Sequence, residues 1–138
     1  MKLRVYSDGA SRGNPGVSSV AFMVLNEDDE ILERRSYFIG ERTNNQAEYE
    51  ALISSLKSAS DFTNDEVECY LDSELVVKQL NGEYKVKNSD LKILWLKVQG
   101  IKQRFRKISF IHVPRTNPQI QEVDQLANQT LDKIRKKI

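Results

Sequence analysis

The sequence predicts an α/β domain, a five-stranded mixed sheet flanked by helices. Three observations carry this. Apolar and polar side chains alternate through the first segments of the chain, the apolar period changes from 2 to 3.6 at about residue 46, and two later apolar runs, 67–71 and 108–113, each lie between helical patterns. The resulting order is β-β-β-α-β-α-α-β-α, which places helices on the faces of a mixed sheet. The 138 residues are expected to form one domain, 1–138.

Residues 3–8, Leu-Arg-Val-Tyr-Ser-Asp, read as a strand entering a hairpin at Gly13-Asn14-Pro15-Gly16. Residues 17–25 and 31–39 make two more strands, parted by the acidic turn Asn26 to Glu30, so a three-stranded meander is expected. From 46 to 59, Tyr49, Leu52, Ile53, Leu56 and Ala59 mark one face of an amphipathic helix. A fourth strand, Val67 to Leu71, leads into a short helix, Ser73 to Leu80, which Gly82 stops. A helix from about Ser89 to Arg104 carries Leu94, Trp95, Val98, Ile101 and Phe105 as its apolar stripe, with Trp95 read as core. A fifth strand, Ile108 to Val113, ends at Pro114, and a last helix runs from about Gln119 to the C-terminus.

Composition narrows the function. One cysteine, Cys69, and one histidine, His112, exclude internal disulfides and zinc sites built from Cys and His clusters. No N-terminal apolar h-region and no run of 18 apolar residues is present, so neither secretion nor membrane spanning is expected, and a cytoplasmic location is. The formal net charge is only +1, yet it is segregated: residues 26–74 hold fourteen acids and four bases, residues 78–107 nine bases and two acids. The C-terminal bases Lys133, Arg135, Lys136 and Lys137 suit a helix C-terminus and need no ligand.

Four acids occupy positions that need a reason. Asp8 lies in a strand, where Asp is disfavoured, although as a turn residue before Gly9 it could accept backbone hydrogen bonds. Asp72 follows a strand and precedes a helix, which suits either chemistry at the carboxyl edge of the sheet or an N-cap. Glu48 falls three residues after Asn45, the spacing of a capping box with Asn45 as N-cap. Asp124 falls at the edge of the arc set by Ile120, Val123, Ala127, Leu131 and Ile134, where a lone carboxylate needs a partner or a cation. Carboxylates without Cys or His ligands suit hard cations such as Mg²⁺, and paired ions of that kind support in-line displacement at a phosphodiester.

Three segments, Tyr6-Ser-Asp-Gly-Ala-Ser-Arg-Gly-Asn-Pro-Gly16, Thr43-Asn-Asn-Gln-Ala-Glu-Tyr-Glu-Ala-Leu52 and Leu71-Asp-Ser-Glu-Leu-Val-Val-Lys-Gln-Leu80, together resemble the type 1 ribonuclease H family, over roughly Leu3 to Leu131 and in the family's order. The resemblance implies a ribonuclease H-like fold, a single catalytic domain, and cleavage of the RNA strand of an RNA/DNA hybrid to 5′-phosphate and 3′-hydroxyl ends. It implies that Asp8, Glu48, Asp72 and Asp124 bind two Mg²⁺ ions, or Mn²⁺ in their place, with Asp8 bridging. Backbone groups of Gly9, Ala10 and Ser11, with Glu48, would read the ribose 2′-hydroxyl. Asn14, Asn44, Asn45 and Gln46 would face the minor groove, and Thr43 a DNA phosphate. Two bound divalent ions would add +4 to the net charge, so near-neutrality does not argue against a nucleic-acid partner.

Three departures qualify the match. The loop Pro114 to Glu122 has no histidine, and Arg115 is its electrostatic substitute, while His112, on a strand, reads as a hydrogen-bonded structural residue. The final motif, Asn117-Pro-Gln-Ile-Gln-Glu-Val-Asp124, is long and lacks the usual Ala. Residues 81–91 are too few for the basic helical protrusion of many members, so Lys85 and Lys87 are expected to contact phosphates instead. A monomer is expected. The alternatives are a non-catalytic hybrid-binding module and a related nuclease or resolvase on the same fold.

Overall fold

A computed structural model describes residues 1–136, and Lys137 lies outside them. The elements follow the expected order: β1 (Lys2–Gly13), β2 (Gly16–Leu25), β3 (Ile31–Arg42), α1 (Asn44–Ser60), β4 (Glu66–Leu71), α2 (Glu74–Leu80), α3 (Ser89–Lys102), β5 (Lys107–His112) and α4 (Pro118–Lys136). The strands lie in the order β3-β2-β1-β4-β5. β1 pairs antiparallel with β2, and β2 with β3, whereas β4 runs parallel to both β1 and β5. This is the expected mixed sheet. β1 is longer than the alternation suggested, because its ladder with β2 continues to Gly13↔Gly16 at the turn itself.

Period-2 alternation sends successive side chains to opposite faces and so divides the core. Leu3, Val5, Phe22, Val24, Val67, Cys69 and Leu71 pack on one face against Tyr49, Leu52 and Leu56 of α1 and Leu94 and Val98 of α3. Tyr6, Ala21, Met23 and Leu25 pack on the other face against Ile120, Val123 and Ala127 of α4. Trp95 packs against the first cluster, as read from the sequence, and its indole N–H donates to the Gln79 carbonyl at 3.3 Å.

Helix ends are set by local chemistry. Thr43, not Asn45, caps α1: its hydroxyl accepts from the Gln46 N–H, and the Gln46 side chain accepts from the Thr43 N–H. The capping box read as Asn45 and Glu48 is therefore corrected to Thr43 and Gln46, because Thr43 is the residue with extended backbone (φ −78°, ψ 164°). Glu48 is thereby freed from capping. Ser73, not Asp72, caps α2, accepting from the Val76 N–H at 3.3 Å. At the other end Gly82, at φ 78°, lets the Glu83 N–H reach back to the Lys78 carbonyl at 2.9 Å, which terminates α2 as expected.

Candidate active site

The sheet opens beside β1. Its parallel ladder with β4 ends at Tyr6↔Tyr70, while its antiparallel ladder with β2 runs on past Asp8↔Ala21. Beyond Tyr6, therefore, β1 has a neighbour on one side only. The gap is a cleft of about 390 Å³ at the carboxyl end of the parallel strands, the usual position for a site in an α/β sheet.

Four elements bring acids to it. Asp8 comes from β1, Asp72 from the residue after β4, Glu48 from the first turns of α1 and Asp124 from α4. Glu48 reaches Asp8 because Gly9 lets α1 lie flush against β1: a Cβ on Gly9 would stand 2.3 Å from the Ala47 carbonyl carbon. The Gly9 N–H then donates to Glu48 Oε1 at 3.2 Å. Asp8, Glu48 and Asp72 each offer one oxygen within 4.8 Å of the others. Asp124 also lines the cleft, outside that trio, and its Oδ1 accepts from the Asn128 amide at 3.3 Å.

Crowding and burial perturb these groups strongly. Asp8 is pushed up to about 12, first by loss of water and then by the charge of Glu48, with Asp72 and Asp124 adding to the rise. Burial raises Glu48 to about 7, against the neighbouring Asp8 carboxyl and the Gly9 N–H, which lower it. Asp72, its side chain 7% exposed, accepts from Arg115 Nε at 3.3 Å. Asp72, by hydrogen bond and charge, and Asp8 and Asp124, by charge, hold the Arg115 guanidinium protonated. Glu48 Oε2 is buried without a hydrogen-bond partner. An all-oxygen set of crowded, buried carboxylates, with Glu48 Oε2 lacking a hydrogen-bond partner, fits a hard divalent cation.

The other residues singled out in the sequence divide into groups. Gly9, Ala10, Ser11, Asn44, Asn45 and Arg115 line the cleft. Asn14 braces its rim, its Oδ1 accepting from the Asn44 N–H at 3.0 Å. Thr43 and Gln46 form the α1 cap, which leaves the Thr43 hydroxyl proton and the Gln46 amide donors free. Lys85 and Lys87 line a separate hollow of about 410 Å³ with Tyr84, Lys92 and Trp95. His112 Nε2 lies 3.3 Å from the Asp72 carbonyl oxygen, which fits a structural role.

One expectation is corrected. Asp124 is exposed rather than set in the buried arc, because Ile120, Val123 and Ala127 make the sheet contact and Asp124 turns to the open cleft. Two lining residues were missed, Ser73 and Asn128. Asn128 had a legible signal: four residues after Asp124, it lies one turn along the same helix face.

Fold and carboxylate cluster together define the ribonuclease H-like class of α/β proteins. Residues 6–130 match the family model described as reverse transcriptase-like. The chain is 40% identical over 131 residues to a ribonuclease HI of Halobacterium salinarum, covering 95% of this chain and 65% of that protein. It is 38% identical to a bifunctional protein of Mycobacterium tuberculosis, of whose length it spans 36%. Among solved structures it superposes on RNase H1 of Halobacterium salinarum with a TM-score of 0.91 at 40% identity, covering 96% of this chain and 99% of that one. LC11-RNase H1 in complex with an RNA/DNA hybrid gives 0.90 at 39% identity, covering 96% and 98%. The chain belongs to the type 1 ribonuclease H family.

Proposed function

We propose that this protein is an endoribonuclease that hydrolyses the RNA strand of RNA/DNA hybrids, leaving 5′-phosphate and 3′-hydroxyl ends, and that it works as a cytoplasmic monomer. The observation that carries this is the carboxylate trio of Asp8, Glu48 and Asp72, with Asp124 lining the same cleft. The hybrid bound to LC11-RNase H1 supports the substrate class. Among the described residues no helix is long and apolar enough to cross a membrane.

Asp8, Glu48, Asp72 and Asp124 are the residues that would hold two divalent cations, Mg²⁺ or Mn²⁺. When bound, such ions supply positive charge to an attacking water and to the departing 3′ oxygen of an in-line displacement. Glu48, its Oε1 held by the Gly9 N–H, would read a ribose 2′-hydroxyl together with the backbone of Gly9, Ala10 and Ser11, which lines the same cleft. Asn44 and Asn45 in the cleft, Asn14 at its rim and Gln46 in the α1 cap would present amide groups to a minor groove, and the Thr43 hydroxyl proton is available to a DNA phosphate. Arg115, its side chain 90% exposed, adds a permanent positive charge at the cleft mouth and cannot serve as a base. Lys85 and Lys87 extend the phosphate contacts beyond the cleft.

The test is a cleavage assay with each strand labelled in turn, on RNA/DNA, RNA/RNA and DNA/DNA duplexes with Mg²⁺ and with Mn²⁺. Scission confined to the RNA of the hybrid is expected. Tight hybrid binding with no scission under either metal would mark a binding module instead, and preferential cutting of a DNA junction a resolvase-like enzyme.

A further inference from the structure

The four acids are not held alike. Asp8 and Asp72 are fixed by the sheet and Glu48 by the close contact of α1 with Gly9, but Asp124 is exposed and stands on α4, which begins only after the irregular segment that follows β5. Near Asp124 the apolar contact of α4 with the sheet comes mainly from Ile120, Val123 and Ala127. Contacts of this kind resist separation but are not directional, so a helix can slide or roll on them.

Directional contacts flank Asp124: Arg34 of β3 pairs with Glu122 just before it, and a further set appears one turn beyond it. Three successive carbonyls of α4 accept a side-chain donor, each from a different strand. The Ser36 hydroxyl of β3 donates to Leu126 O at 3.2 Å, the buried Ser19 hydroxyl of β2 to Ala127 O at 2.7 Å, and the Arg12 guanidinium of β1 to Asn128 O at 3.2 Å. A carbonyl has two lone pairs, so each bond adds to the helix's own ladder rather than replacing it. Arg12 also pairs with Asp132 at 2.6 Å, one turn beyond Asn128. Asn128 in turn donates its side-chain amide to both the carbonyl (3.0 Å) and the carboxylate (3.3 Å) of Asp124. A continuous path thus runs from Arg12 through Asn128 to the Asp124 carboxylate.

We propose that Arg12 is a positioning residue: with Ser19 and Ser36 it locks the axial position of α4 on the sheet, and through Asn128 it places Asp124 for cation binding in the cleft it shares with Asp8. This rests on the functional reading above only in taking Asp124 as a cation ligand. A site of this kind needs its groups held to within about 0.5 Å, and outer partners of metal ligands are often worth tenfold or more in affinity.

The experiment compares Arg12→Met, Arg12→Lys, Asp132→Asn and the Arg12→Met/Asp132→Asn double variant with the parent protein. Mn²⁺ binding is read by calorimetry without substrate, and kcat and KM for a hybrid are read against Mg²⁺ concentration. Arg12→Met is expected to weaken Mn²⁺ binding at the Asp124 side and to raise the Mg²⁺ midpoint of kcat by about tenfold, with KM at saturating metal unchanged. Arg12→Lys, which keeps one donor and the charge, should recover most of the loss. Asp132→Asn, which frees Arg12 without removing it, should shift the midpoint in the same direction, and the double variant should be no worse than Arg12→Met. Unchanged Mn²⁺ binding in Arg12→Met, or an effect confined to KM and its salt dependence, would overturn the proposal and make Arg12 a phosphate contact. Absence of cleavage by the parent protein would instead fail the functional reading, and the calorimetry would still decide the role of Arg12.

Discussion

Gly9 and Glu48, 39 residues apart, are joined by a hydrogen bond from the Gly9 N–H to Glu48 Oε1 at 3.2 Å. The bond exists because Gly9 has no side chain: a Cβ there would lie 2.3 Å from the Ala47 carbonyl carbon and 2.6 Å from the Glu48 nitrogen. Strand and helix therefore meet backbone to backbone where two of the acids converge.

Gly9→Ala should push α1 off β1. The obstacle is backbone and cannot rotate aside, so denaturant unfolding should show a loss of about 1–3 kcal/mol. Cleavage should fall as Glu48 withdraws from Asp8. A variant with parental stability and turnover would mean that the contact does not hold the site.

Asp8→Asn should abolish cleavage while steadying the metal-free fold. Asp8 rises from an ordinary 3.8 to about 12 in the folded protein, so the folded state keeps a proton that the unfolded chain releases above about pH 4. Its contribution to stability is full below that pH and is lost as pH rises toward the folded value, by up to about 1.4 kcal/mol per pH unit. Glu48, raised from 4.5 to about 7, acts in the same direction over a narrower window. Melting curves in chelator between pH 5 and 8 should therefore fall more steeply for the parent than for Asp8→Asn. Equal slopes would contradict this.

Arg115→Met should separate electrostatics from stability. The Arg115 side chain is 90% exposed, so its pair with Asp72 contributes at most about 1 kcal/mol to folding. Turnover should fall further than stability does, with Arg115→Lys intermediate. Unchanged kcat would remove Arg115 from the site.

Lys85→Ala/Lys87→Ala should reduce hybrid affinity without touching the acids. If each lysine neutralises one phosphate, the slope of log K against log salt should become shallower by about 2. A slope equal to that of the parent would place both lysines outside the interface.

Much of this was legible beforehand, and the reasons are physical. Period-2 alternation marked the strands, the Tyr49 to Ala59 stripe marked α1, and Asp8 stood out because strands disfavour Asp. Caps were harder. Thr43, Asn44 and Asn45 are all acceptable N-caps, and only the backbone conformation chooses Thr43. The exposure of Asp124 was not readable from helix periodicity, which gives a direction around the axis but not where the neighbouring sheet ends. Nor could spacing show the approach of α1 to Gly9 or the reach of Arg12 to Asn128, which are contacts between distant segments.

The central claim, that Asp8, Glu48 and Asp72 form a divalent-cation site, is tested most directly by anomalous diffraction from crystals soaked in Mn²⁺. The expected result is a peak coordinated by oxygens of all three residues, including Glu48 Oε2, which is buried without a hydrogen-bond partner. Crystals saturated with Mn²⁺ that show no peak among these carboxylates would contradict it.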